Sequence, residues 1–172
     1  MKWNIGFNRL LLAVILLVGL VGTGQAEVPA SFRTAVVRVD GMVCYFCSMG
    51  IEKKCKLKHL GKGYSTDLAK GLFKIQMDPS EKVPPPDHFA EIVKGAGYTY
   101  RGVQLELEGK IVASNKKNIY GLLLPDTGQI IPFKASAAQS SRLTPLLHRT
   151  THVQLLANAD TSQGWQLDKF IH

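Results

Sequence analysis

Residues 34–47, TAVVRVDGMVCYFC, hold a strand, a turn and the start of a helix in one short run. Thr34 to Val39 is rich in β-branched residues and stops at Asp40-Gly41, a turn signal. From about Cys47 the pattern changes: Cys47, Ile51 and Cys55 recur every four residues, which predicts one face of a helix. Lys53, Lys54, Lys56 and Lys58 surround that stripe, and Gly61 and Gly63 end it. Gly50 inside the helix costs about 1 kcal/mol relative to alanine, so the helix depends on its packing.

Downstream, Tyr64–Leu68 and Leu72–Met77 read as a hairpin joined by Ala69-Lys70-Gly71. Pro84 to Pro86 lead into a short helix from Asp87 to Lys94, closed by Gly95 and Gly97, and a further strand starts near Tyr98. The order is βαββαβ, which predicts an α+β fold beginning with a ferredoxin-like sandwich over residues 32–103. Residues 104–172 have a different texture. Strands are expected at 103–113, 119–124, 129–134, 152–158 and 165–171, with a turn at Pro125–Gly128 and a helical stretch from Ala135 to Leu147 limited by Pro145. Five strands with one helix between the third and fourth predict a small OB-like β-barrel.

Upstream, Lys2 and Arg9 flank the start, and Leu10 to Gly22 run without a charge. Thirteen residues at about 1.5 Å each fall short of a hydrocarbon core of about 30 Å. Gly24-Gln25-Ala26 then offers the small residues that a signal peptidase reads, so residues 1–26 are expected to be a signal peptide cleaved after Ala26. Removing 26 residues from 172 leaves 146, and the formal charge falls from +8 to +6 with Lys2 and Arg9. The expectation is a periplasmic or secreted protein that is not integral to a membrane after cleavage. A composition 45% hydrophobic and 20% charged excludes a disordered chain, a collagen-like fibre and a multi-span membrane protein. Basic charge is concentrated only in the five lysines between Lys53 and Lys62, and no aromatic-plus-basic motif supports a nucleic-acid partner.

Cys44 and Cys47 carry the chemistry. Two cysteines separated by two residues at a strand-to-helix turn can aim both sulfurs at one point, and the helix N-terminus favours their thiolates. Two thiolates with no evident third ligand suit a soft ion of low coordination number, Cu(I) or Hg(II), one ion per chain. An open two-ligand site also lets an incoming thiol take the ion by ligand exchange. Structural zinc wants four ligands and is less well served. His59 and His88 are more simply solvated surface residues. His148 and His152 lie four apart but straddle a predicted change from helix to strand.

The segment from Phe32 to Val103 resembles the heavy-metal-associated domains of copper chaperones, of copper ATPase metal-binding modules and of the periplasmic mercury-binding protein. Gly41, Met42, Cys44 and Cys47 match that family's Gly-Met-x-Cys-x-x-Cys loop, while Asp78-Pro79 and Ala96-Gly97-Tyr98 match two further signatures. The resemblance implies that Cys44 and Cys47 bind the metal, that Met42 is a core residue beneath the loop, and that Tyr98 lies near the site without ligating. Val43 departs from the usual Thr or Ser, and the absence of Asp there argues against Zn, Cd or Pb. Tyr45 and Phe46 are bulkier than the usual pair, fit either to shield the metal or to touch a partner. Cys55 stands where the family has a core aliphatic residue and is expected to be buried packing, with a third ligand or a reactive spare thiol as the alternatives.

These readings predict a non-enzymatic protein that captures Cu(I) or Hg(II) and hands it to a membrane metal transporter or metal-accepting protein. The rival reading is a thiol-disulfide oxidoreductase using Cys44 and Cys47. It lacks the Trp and Gly-Pro of the thioredoxin motif, and a hairpin follows the first helix directly. For the C-terminal half a docking or stabilising role is expected, with Tyr120, Phe133, Trp165 and Phe170 in packing.

Overall fold

The computed structural model describes residues 33–171, so the expected signal peptide lies outside the described residues. Among these residues the chain is mixed α+β, with one eight-stranded sheet and three helices. The elements run β1 (Arg33–Asp40), α1 (Tyr45–Leu57), β2 (Gly63–Asp67), β3 (Leu72–Gln76), α2 (Pro86–Gly95) and β4 (Thr99–Ala113). They continue with β5 (Ile119–Leu123), β6 (Ile130–Lys134), α3 (Ala137–Leu143), β7 (Thr150–Asn158) and β8 (Trp165–Ile171). Short 3-10 turns follow α3 at Thr144–Leu146 and precede β8 at Thr161–Gln163.

In the first half the strands lie in the order β2-β3-β1-β4, each pair antiparallel, with β2 outermost. In the second half β4 pairs β5, β5 pairs β6, β6 pairs β8, β8 pairs β7 and β7 returns to β4, closing a five-strand barrel. Of these strand pairs only β6–β8 is parallel. The helix before β7 is shorter than the sequence predicts: α3 ends at Leu143, and Pro145, which cannot donate to the preceding turn, sits in the 3-10 turn.

β4 joins the halves. The strands expected near Tyr98 and from Val103 are one strand of 15 residues. Val103, Leu105, Leu107 and Ile111 all point to one buried face, an alternation of period two that holds from Val103 to Ile111. Along β4, β1 pairs Thr99–Leu107 and β5 pairs Lys110–Ala113, while β7 pairs Gly102–Lys110. Leu105 therefore stands between Ala35 and Leu155, all three fully buried. Gly102 takes the kink where the β1 register shifts: its φ is +137°, and a Cβ there would meet the Ala157 carbonyl oxygen at 2.8 Å.

Side chains close the junction. Arg33, buried at the start of β1, donates from Nη1 to the Glu81 carbonyl at 2.8 Å and pairs through Nη2 with Asp126 at 3.0 Å. Burial pulls the Arg33 pKa down against the raising effect of Asp126. The Gln129 amide reads the Val83 backbone twice, accepting from its N–H at 2.7 Å and donating to its carbonyl at 2.8 Å. Phe89 of α2 meets Trp165 of β8 edge to face at 6.3 Å between centroids. The buried apolar residues of both halves form one continuous cluster.

Candidate functional site

β1 delivers the chain to Asp40, and Gly41 turns it with φ +89°, a left-handed conformation that favours glycine. The ring of Tyr98, just before β4, borders this turn: a Cβ on Gly41 would lie 3.7 Å from Tyr98 Cδ1. Met42 is buried and belongs to the core cluster.

Cys44 is the N-cap of α1, so the helix begins at Tyr45, two residues before the point its apolar stripe predicts. The Cys44 sulfur accepts a hydrogen bond from the Cys47 N–H at 3.1 Å, a role usually taken by a Ser, Thr, Asp or Asn oxygen. That contact brings the two side chains together. Cys44 and Cys47 are joined by a disulfide with Cα atoms 5.2 Å apart, and both residues are half-buried. Ser48 locks the first turn by donating its hydroxyl to the Tyr45 carbonyl at 2.6 Å. The first turn holds no acidic residue, and Lys54 and Lys56 occupy the last, so the pair sits at the positive end of a basic helix.

The third cysteine lies elsewhere. Cys55 is fully buried on the packed face of α1, two turns and about 12 Å along the axis from Cys47. Burial, with Glu52 adding to it, pushes its thiol pKa up to about 12. A neutral, enclosed thiol at that distance is core packing.

The described histidines do not join the cysteines. His59 follows α1 with φ +52° and is exposed, and His88 lies half-buried on α2. His148 sits in the turn before β7, its N–H bonded to the Ile111 carbonyl, whereas His152 on β7 faces Glu108 at 3.7 Å. Among the described residues no group of three or more His, Cys, Asp or Glu is placed to hold a metal ion. A soft ion of low coordination number is the kind two sulfurs alone can hold.

The barrel aromatics are engaged in packing. Tyr120 stacks on Phe133 at 6.0 Å, Trp165 meets Phe89, and Phe170 carries the Arg142 guanidinium at 5.2 Å.

Around the cysteines the surface is apolar. Val43 is 84% exposed and Phe46 81%, with Tyr45, Met49 and Leu57 also open to solvent. Sequence reasoning singled out Tyr45 and Phe46 but missed Met49 and Leu57. Phe46, Met49, Lys53 and Leu57 follow helical spacing on the side opposite Cys47, Ile51 and Cys55, and that spacing was the available signal. No family model matches the chain, and no curated protein or solved structure does so either.

Proposed function

We propose that this chain is an exported, non-enzymatic protein that binds one soft ion, Cu(I) or Hg(II), through the reduced thiolates of Cys44 and Cys47 and passes it to a membrane transporter or metal-accepting protein. The observation that carries the reading is the convergence of the sulfurs of two half-buried cysteines at the N-terminus of α1, beside the exposed Val43, Tyr45 and Phe46. The order β2-β3-β1-β4 with α1 and α2 in mutual contact supports a ferredoxin-like sandwich for the first half. A parallel β6–β8 pair in a five-strand barrel supports an OB-like second half. Both agree with the resemblance to heavy-metal-associated domains followed by an added barrel.

The disulfide must first be reduced, taking two electrons and two protons from a thiol reductant to give two thiols. Each thiol then loses its proton as its sulfur takes the ion, helped by the positive end of α1. An acceptor thiolate attacks the two-coordinate ion from the open side, and the ion leaves by stepwise exchange of sulfur ligands. The Cys47 N–H that reaches the Cys44 sulfur orients that ligand. Cys55 takes no part.

The bonded pair also favours a second reading, a thiol-disulfide oxidoreductase acting through the same cysteines. Anaerobic titration of the reduced protein with Cu(I) against a competing chelator separates the two, with Hg(II) and Zn(II) for comparison. One-to-one binding of Cu(I) or Hg(II), lost in Cys44→Ser/Cys47→Ser and kept in Cys55→Ser, is the expected result. No tight binding of any ion, together with a readily cycled Cys44–Cys47 disulfide, would transfer the function to thiol redox chemistry.

A further inference from the structure

The exposed side of α1 has the composition of a surface built for a lipid interface, and we infer that this face docks the protein on anionic bilayers, with the Cys44–Cys47 loop turned toward the lipid. Two independent features meet there. The first is an apolar tip, in which Val43, Tyr45, Phe46 and Met49 project around the cysteines and Leu57 extends the stripe toward the end of the helix. Soluble monomers seldom leave clustered large apolar side chains so open.

The second feature is charge. Lys53, Lys54 and Lys58 make no ion pair among the described residues, whereas Lys56 is engaged by Glu52 and by the Tyr64 ring. Lys53 stands in the stripe with Phe46, Met49 and Leu57, while Lys54 and Lys58 flank it, so apolar side chains can enter the acyl boundary while these long side chains carry their ammonium groups to the phosphate level. Glu52 is the only acidic residue on α1, and its pairing with Lys56 removes it from the field that an anionic surface would meet. Aromatic and aliphatic side chains interleaved with unpaired lysines match a fluid, negatively charged lipid surface, which moulds itself to a protruding tip.

The test uses the chain from Glu27 onward, which contains every described residue and omits the apolar leader, in its metal-free, disulfide-bonded form. Binding is read by sedimentation with vesicles of phosphatidylglycerol mixed with phosphatidylcholine, and with phosphatidylcholine alone. Trp165 is buried, so a Phe46→Trp variant adds an exposed reporter whose emission should shift to the blue on the anionic vesicles. Val43→Ser/Phe46→Ser should abolish that binding. Lys53→Gln/Lys54→Gln/Lys58→Gln should weaken it by about 5-fold per lysine, roughly 100-fold in all. Added salt should weaken it further.

No binding to the anionic vesicles, or binding unchanged in both sets of variants, would overturn the inference. Sedimentation without any shift at position 46 would also overturn it, because adsorption by charge alone leaves the apolar tip in water. Protection of the Phe46→Trp emission by polyglutamate but not by vesicles would assign the face to an acidic protein partner instead. Because no metal is present, each of these outcomes leaves the metal-binding titration to be decided separately.

Discussion

Replacing Leu105 by alanine should destabilise both halves of the molecule at once. Leu105 is fully buried and stands on β4 between Ala35 of β1 and Leu155 of β7, themselves fully buried. With sheet neighbours on both sides the site has little room to collapse, so the loss falls within the range of about 2–5 kcal/mol found for buried Leu→Ala changes. Taking about 3 kcal/mol, and about 3–4 °C of Tm per kcal/mol for a chain of this size, the midpoint should fall by roughly 10 °C. Scanning calorimetry gives the number of transitions and the size of the shift. Amide exchange in α1 and in β6 then reports each half separately. A shared β4 and one continuous core require a single transition, with protection in α1 and β6 falling together. Two resolved transitions, or β6 protection unchanged while that of α1 drops, would refute the idea that the halves share one core.

Three smaller tests address other parts of the structure. Gly50→Ala should raise stability by about 0.5–1 kcal/mol in urea unfolding, since a Cβ there meets nothing within 4 Å and the helix gains from alanine. Cys55 should resist iodoacetamide in the native, disulfide-bonded protein and react only in denaturant, because its thiol is enclosed and its pKa is about 12; stoichiometric native labelling counted by mass would contradict this. Asp78, held near pKa 2 by hydrogen bonds from Lys62 and Ser80, should contribute stability that is complete above the ordinary carboxylate value of 3.8 and lost as the pH falls toward 2. Asp78→Asn should flatten that part of the acid-stability profile, measured as the denaturation midpoint against pH.

Much of the site was legible because its signals are local. The β-branched run ending at Asp40-Gly41 places β1, the period of Cys47, Ile51 and Cys55 gives the packed face of α1, and strict spacing brings Cys44 and Cys47 together. The start of α1 was harder to read, because cysteine is not a usual capping residue and its sulfur takes that part only once Cys47 is beside it. The junction was least legible. The sequence leaves open whether the strand near Tyr98 runs into the one from Val103, and Gly102 absorbs a register shift within that single strand. Arg33 and Asp126 meet across 93 residues, and no local pattern announces a partner so distant. The exposed face of α1 was hidden for another reason: the buried stripe explains the helix, and the apolar residues opposite it matter only once their exposure is known.

The outermost position of β2 bears on how the protein behaves when crowded. As a free edge of the sheet, β2 is a place where another chain's strand could add and begin to build a fibre. Its five residues, Gly63 to Asp67, offer only a short template, with Ser65, Thr66 and Asp67 making up most of it. Lys62 and Lys70 bracket it, each engaged by an acidic partner, Asp78 and Asp67. This edge is thus poorly suited to self-assembly by sheet extension, a property of value to a protein that keeps an apolar tip in contact with solvent.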